Sequence, residues 1–243
     1  ALPISSNTGT GNGQQAFVGL SGNFGAIKAG RVNSNALDAW GTGSVFGTAI
    51  GSGYGSAGGI FTRYSANATT GAAITAGAVS QSAPTRFNGA VRYESPVFSG
   101  FSASVLVVPK GADTNVQSVT DFGLKYANGP LNVMFSSQEI KQYGTLATST
   151  GSFTTGYDAV TTYASPLADG KSNKLNTLAA NYTFGAATVY GALWTEKQNT
   201  VSAVDAAGQM IGAKYTMGAV SLLASYAKNN DKTATNADKK IYG

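Results

Sequence analysis

The side chains able to do chemistry in this 243-residue chain are few and mostly cationic. Histidine and cysteine are absent. The usual general base, the usual zinc ligand, a disulfide scaffold and a cysteine-based metal site are therefore excluded. A serine–lysine pair is the nucleophilic option that remains, and no spacing singles one out. Gly53-Tyr54-Gly55-Ser56-Ala57-Gly58 spells GxGxxG. No helical pattern follows it and no acid lies about 20 residues on, so a dinucleotide site is rejected. What remains is charge. Lysine and arginine number 16 against 11 acids, giving a net +5 and a pI of 9.3. The cations are scattered through the alternating segments and form no long run, which argues against nucleic acid. Residues 32–85 hold one acid, Asp38, and one base, Arg63, and the stretch is bracketed by Arg31 and Arg86. Arg92, Lys125 and Lys214 each precede a tyrosine, and Glu94 follows one. Such cations can attract anions without making or breaking bonds. No metal, cofactor or enzymatic activity is expected.

The elements that must hold these charges are alternating strands. QQAFVGLSGNFGAIKAGR (Gln14–Arg31) reads as a hairpin turning at Ser21-Gly22-Asn23. The pattern returns in Arg86–Val108, Asp121–Gln138, Lys174–Trp194 and Gln209–Lys228, with a further strand starting at Lys240–Tyr242. Between the hairpins lie polar stretches at 32–85, 109–120, 139–173, 195–208 and 229–239. Short turns thus alternate with long loops, at opposite ends of one sheet. Side chains alternate faces with period two. Phe122, Leu124 and Tyr126 oppose Asp121, Gly123 and Lys125; Ile211, Ala213, Tyr215 and Met217 oppose Gly212, Lys214 and Thr216. One face is apolar and the other polar, often charged.

Composition says what covers the apolar face. Only 11% of residues are charged, 32 are glycine, and mean hydropathy is −0.03, whereas a soluble domain is about 25% charged. No apolar run is long enough for a membrane-spanning helix. Tyr93, Tyr126, Tyr182 and Tyr215 stand just before short turns on the apolar face. A girdle at a membrane–water interface has that placement. The first hairpin has Leu20 at that position. A soluble sandwich would need a fuller set of large core residues than these Ala- and Gly-rich faces supply. The chain therefore reads as an all-β, transmembrane antiparallel barrel with lipid on its apolar face.

QAFVGLSGNFGAIKAGR, then a long loop, then RFNGAVRYESPVFSGFSASV, resembles the general-diffusion porins of Gram-negative bacteria, above all the β-proteobacterial type of Neisseria, Bordetella, Burkholderia and Comamonas. The resemblance covers nearly the whole of 1–243 as a single barrel domain. It implies about sixteen strands in the full protein, of which about ten are covered here, the chain being a fragment without the first and last strands. It further implies a homotrimer in the outer membrane, in contact with lipid and lipopolysaccharide, and passage of small hydrophilic solutes. By the same resemblance 32–85 is the loop folded into the pore as its constriction. Arg31 and Arg86 then match wall arginines, and Arg63 joins them. With Asp38 the loop's one acid, anion preference is expected. Arg92, Lys125 and Lys214 would line the lumen nearer the short-turn end, partly compensated by Glu94. Strict alternation puts Arg31 on the lipid side with Ile27 and Ala29 unless a bulge at Gly30 turns it inward. Lys28 falls on the lumen side. Asp113, Asp158, Asp169, Asp205 and Asp231 are expected as solvent-exposed loop residues, and Trp40 and Trp194 as loop packing or, for Trp194, a rim anchor. Two other functions fit less well. A sugar-specific channel could use Phe46, Tyr54, Phe61 and Tyr64 as an aromatic track, and a surface adhesin would show a constant-length repeat that is not found.

Overall fold

The computed structural model describes residues 15–47, 86–109, 117–142, 152–155, 159–162, 172–198, 204–232 and 238–243. Strands β1 (Ala16–Gly22) and β2 (Gly25–Asn33) form the first hairpin and lead into helix α1 (Asn35–Gly43). β3 (Arg86–Glu94) and β4 (Phe101–Val108) form the second hairpin, β5 (Gln117–Asn128) and β6 (Leu131–Gln142) the third. β7 (Ser152–Thr155) and β8 (Ala159–Thr162), among the described residues, pair only with each other. β9 (Ser172–Phe184) with β10 (Ala187–Gln198), and β11 (Val204–Met217) with β12 (Val220–Asp231), complete the hairpins, and β13 (Lys239–Tyr242) follows. The main sheet has 11 antiparallel strands in the order β1-β2-β3-β4-β5-β6-β9-β10-β11-β12-β13, open at β1 and β13 among the described residues.

The tight turns follow from residues that tolerate positive φ. Gly185 and Gly218, both at φ +58°, close the fourth and fifth hairpins. All five hairpins expected from alternation are present. Several strands run further toward the long connections than alternation indicated. β5 begins at Gln117 and β11 at Val204, because ladder hydrogen bonds continue where outward side chains turn polar and the apolar rhythm stops.

The two faces differ as the alternation requires. Outward, Val18, Leu20, Ile27, Val105, Phe122, Leu124, Leu178 and Ile211 are exposed, Leu20 at 68% and Ile211 at 66%. Inward, two apolar clusters lie under α1 and beside it. One joins Ala36, Leu37 and Trp40 of α1 to Leu175, Ala179, Ala192, Trp194, Met210 and Ala227. The other joins Val32 and Ala90 to Leu106, Val108, Val119 and Ile140. Tyr93, Tyr182 and Tyr215 stand exposed outward, while Tyr126 is half-buried against Phe101, ring centroids 4.5 Å apart. The Tyr93 hydroxyl donates to Phe24 O at 2.8 Å, binding the strand end to the neighbouring turn.

Candidate functional site

Within 32–85, whose first two residues extend β2, the chain forms a helix that alternation did not indicate. Ser34 caps its N-terminus, its hydroxyl accepting from Leu37 N–H at 3.0 Å. The next residue fastens the helix to the sheet. Asn35 N–H donates to Asp121 Oδ2 at 2.6 Å, and Asn35 Nδ2 to Asp121 O at 2.8 Å. Ser104 Oγ donates to Asn35 Oδ1 at 2.6 Å, and Gln138 Nε2 to Asp121 Oδ2 at 3.3 Å. Asp121 is fully buried. A carboxylate at a helix start is also favoured by the helix dipole. The far end is held by Asn181 Nδ2, which donates to Thr42 O at 2.8 Å.

Between these ends Trp40 packs edge-on against Trp194, centroids 5.4 Å apart and planes at 63°. Trp194 Nε1 donates to Asn229 Oδ1 at 3.1 Å, and Asn229 Nδ2 to Glu196 Oε1 at 2.9 Å. Trp194 thus packs the helix of 32–85 against the wall, as loop packing, and is not a rim anchor. It lies inward on β10, buried under α1. Its indole lies over Gly208, its partner in the β10–β11 register. A Cβ on Gly208 would fall inside the ring system. Gly208→Ala is therefore expected to displace Trp194 and unseat Trp40, at the overpacking cost of about 1–3 kcal/mol. Thermal denaturation in detergent checks it.

Beside α1 the inner face carries a compact charge cluster. Arg92, with its side chain 8% exposed, puts Nη2 2.6 Å from Asp38 Oδ2 of α1. Its Nη1 donates to Asn33 O at 2.8 Å. Its Nε lies 3.0 Å from Glu94 Oε1, an ion contact without hydrogen-bond geometry. Lys28 Nζ reaches both Glu94 oxygens, at 3.0 and 2.8 Å. The two carboxylates are therefore engaged, and the arginine is shared between helix and wall. A cavity of about 600 Å³ opens here, lined among others by Asp38, Thr42, Arg86, Arg92, Glu94 and Lys125. With Lys28 bonded to Glu94, four cations meet two carboxylates around it.

The other expected residues lie elsewhere. The β2–β3 register shifts between Gly30 (φ +135°) and Val32, yet Arg31 does not line the cavity. It pairs with Ala16 in the β1–β2 ladder and donates from Nη1 to Asn88 Oδ1 at 2.8 Å in an exposed contact. Lys214 sits opposite Thr188 and Leu223, apart from the cluster. Arg63, Tyr54, Phe61 and Tyr64 lie outside the described residues, as do Asp113, Asp158 and Asp169. Asp231 corrects the expectation of an exposed loop acid. It closes β12 and is 4% exposed, its N–H donating to Asp238 Oδ1 at 3.0 Å, because the strand continues past its apolar stretch. Asp205 likewise belongs to a strand, β11. Asp121 and Asn35, which hold the helix, carry no local signal, since the pair spans 86 residues.

Comparison with known proteins gives a consistent picture. A family model described as Gram-negative porin matches residues 4–243. The major outer membrane protein P.IB of Neisseria gonorrhoeae is 27% identical over 249 residues, covering 96% of this chain and 60% of that protein. Among solved structures, the anion-selective porin from Comamonas acidovorans superposes with a TM-score of 0.65 at 22% identity, covering 92% of this chain and 58% of that one. A loop-deletion mutant of OmpT, an outer membrane protein of Vibrio cholerae, gives 0.62 at 16%, covering 93% and 65%. These two share the fold. The chain spans about 60% of the length of the gonococcal relative.

Proposed function

The chain belongs to the Gram-negative porin family, and from that premise we propose that the cavity between α1 and the wall is the narrow part of a passive channel for small hydrophilic solutes, with anions preferred. Its place is the bacterial outer membrane. In this reading residues 1–243 contribute to one barrel domain, 32–85 is the constriction segment, and the protein acts as a homotrimer, as the resemblance of its paired hairpins implies. The observation that carries it is the charge balance at the helix. Asp38 is held by Arg92, and Glu94 by Arg92 and Lys28, while Arg86 and Lys125 line the same space. A surplus of cations in a confined passage lowers the energy of an anion there. The name of the Comamonas neighbour, an anion-selective porin, agrees with this assignment. Tyr93, Tyr126, Tyr182 and Tyr215 would form the interface girdle at the short-turn end, and Lys214 and Arg31 would act outside the narrow part.

The reversal potential of the membrane-inserted protein under a salt gradient tests this. An anion-directed potential is expected, and it should shrink as salt rises from about 0.1 M to about 1 M, where the screening length falls from roughly 10 to 3 Å. Arg86→Ala and Lys125→Gln should each reduce the anion preference without abolishing conductance. A cation-directed potential in the parent protein would overturn the selectivity while leaving the barrel intact.

A further inference from the structure

A second polar group lies inside the wall, under the helix rather than beside the cavity. The ladders set Trp194, Gly208, Asn229 and Lys239 in one inward row, and Glu196, Ala206 and Asp231 in the next toward the long connections. β11 contributes Gly208 and Ala206 to these rows, and their lack of bulk leaves a trough across it. The Trp194 indole lies in that trough, over Gly208. From there Trp194 on β10 reaches Asn229 on β12, and Asn229 reaches back to Glu196 on β10. Glu196 and Asn229 are fully buried and Asp231 nearly so. Lys239 on β13 feels the charges of both Glu196 and Asp231.

What each group can donate or accept fixes the direction of these hydrogen bonds. An indole N–H only donates, and an ionised carboxylate only accepts. Asn229 must therefore turn Oδ1 to Trp194, at 3.1 Å, and Nδ2 to Glu196, at 2.9 Å. The reverse orientation would set donor against donor and acceptor against acceptor. Glu196 thus fixes the Asn229 amide, and the amide fixes the plane of the Trp194 ring. That plane matters to α1. Trp40 meets it edge-on, while Asp38 reaches Arg92. Two residues apart on a helix, these side chains leave the axis about 200° apart. The helix is gripped on opposite sides, so a roll that follows the Trp194 ring carries Asp38 away from Arg92.

We propose that Glu196 is a positioning residue for the constriction: acting through Asn229 and Trp194, it sets the roll of α1 and with it the Asp38–Arg92 pair at the cavity. The assignment of a function to that roll rests on the channel reading above. A buried carboxylate is costly to desolvate. An apolar side chain of the same size would fill the volume without orienting anything. A fully satisfied buried network, by contrast, rigidifies its members in one arrangement. Lys239 supplies a counter-charge to the carboxylate.

The test follows deuterium exchange of the indole N–H by nuclear magnetic resonance, on the full-length protein with isotope-labelled tryptophan in detergent micelles. Trp194→Phe identifies the resonance. Glu196→Leu is expected to speed exchange of the Trp194 N–H at least about tenfold. It should also move the reversal potential toward cations, part of the way that releasing Asp38 outright would. Asn229→Asp, which sets two carboxylates face to face, should do the same. The swap Asn229→Asp/Glu196→Gln lets the new amide donate to the new carboxylate, which still accepts from the indole. Both readings should then return to the parent's, a rescue that a merely space-filling role would not show. If Glu196→Leu does not insert, Asn229→Asp and the swap carry the same decision. Slow exchange retained in Glu196→Leu, or a swap that behaves like Asn229→Asp, overturns the proposal. Fast exchange with an unchanged reversal potential overturns it too, since the ring would then turn without moving Asp38. A cation-directed parent would sink the selectivity reading alone, because the exchange rates and their rescue by the swap would still decide the positioning role.

Discussion

In the proposed anion-preferring channel, replacing Arg92 with glutamine is expected to move the preference from anions toward cations more than loss of any other single cation. Among the described residues Arg92 is the one side chain that contacts both Asp38 on α1 and Glu94 on the wall. Its removal subtracts a positive charge and also releases Asp38 into the cavity, where it would attract cations. Lys28 still engages Glu94 at 2.8 Å, so the change centres on Asp38. Stability should fall too. The bond from Nη1 to Asn33 O is lost, and a charged hydrogen bond is worth about 1.5–3 kcal/mol, discounted here because Asp38 is about one-third exposed. Reversal potentials of Arg92→Gln and Arg92→Gln/Asp38→Asn decide it. The double variant should recover much of the parent's selectivity if Asp38 is the released charge.

The second large effect concerns the fastening of the helix. Asp121→Ala removes the acceptor for Asn35 N–H and for Gln138, and leaves a buried donor unsatisfied at the start of α1. Such a loss costs about 1–3 kcal/mol, more where the partner was charged. The helix is held elsewhere by Asn181 and the Trp40 contact, so the barrel should still assemble. The expected result is a lower melting temperature together with larger current noise, as α1 leaves and regains the wall. Asp121→Asn keeps an oxygen for the Asn35 amide and should lie between parent and alanine. Quiet, unchanged single-channel currents in Asp121→Ala would mean that this contact does not hold the constriction.

How much of this was legible in the sequence depends on the range of the forces involved. The hairpins were readable because a half-apolar strand alternates with period two and its turns need glycine or asparagine. Leu178, Ala180, Tyr182 and Phe184 show that rhythm, and β9 is where it appears. The upper strand ends were not readable. There Lys174, Asn176, Thr195 and Lys197 point outward above the apolar band, so no hydrophobic rhythm marks them, although the ladder continues through them. Helix α1 was also hidden. It has 9 residues, including Gly41 and Gly43, too few for an apolar period to stand out. Its capping Ser34 ahead of Leu37 was the signal available. At the candidate site, residue type and face parity identified Arg92 and Lys125, and Arg86 was identified by resemblance. The partners that fix the geometry, Asn35 with Asp121 and Trp40 with Trp194, come together only through the ladder that sets distant strands side by side.

The two tryptophans of the chain meet at one contact, Trp40 on the helix and Trp194 on the wall. Every indole chromophore in these 243 residues therefore reports on the same event. At 5.4 Å and 63° the two rings are close and skewed enough for their excited states to couple, which produces a paired near-ultraviolet dichroism signal. Departure of the helix from the wall would erase that signal with the strands unchanged. The chain thus carries a native optical gauge of the helix's seating on the wall, readable without labels or electrodes.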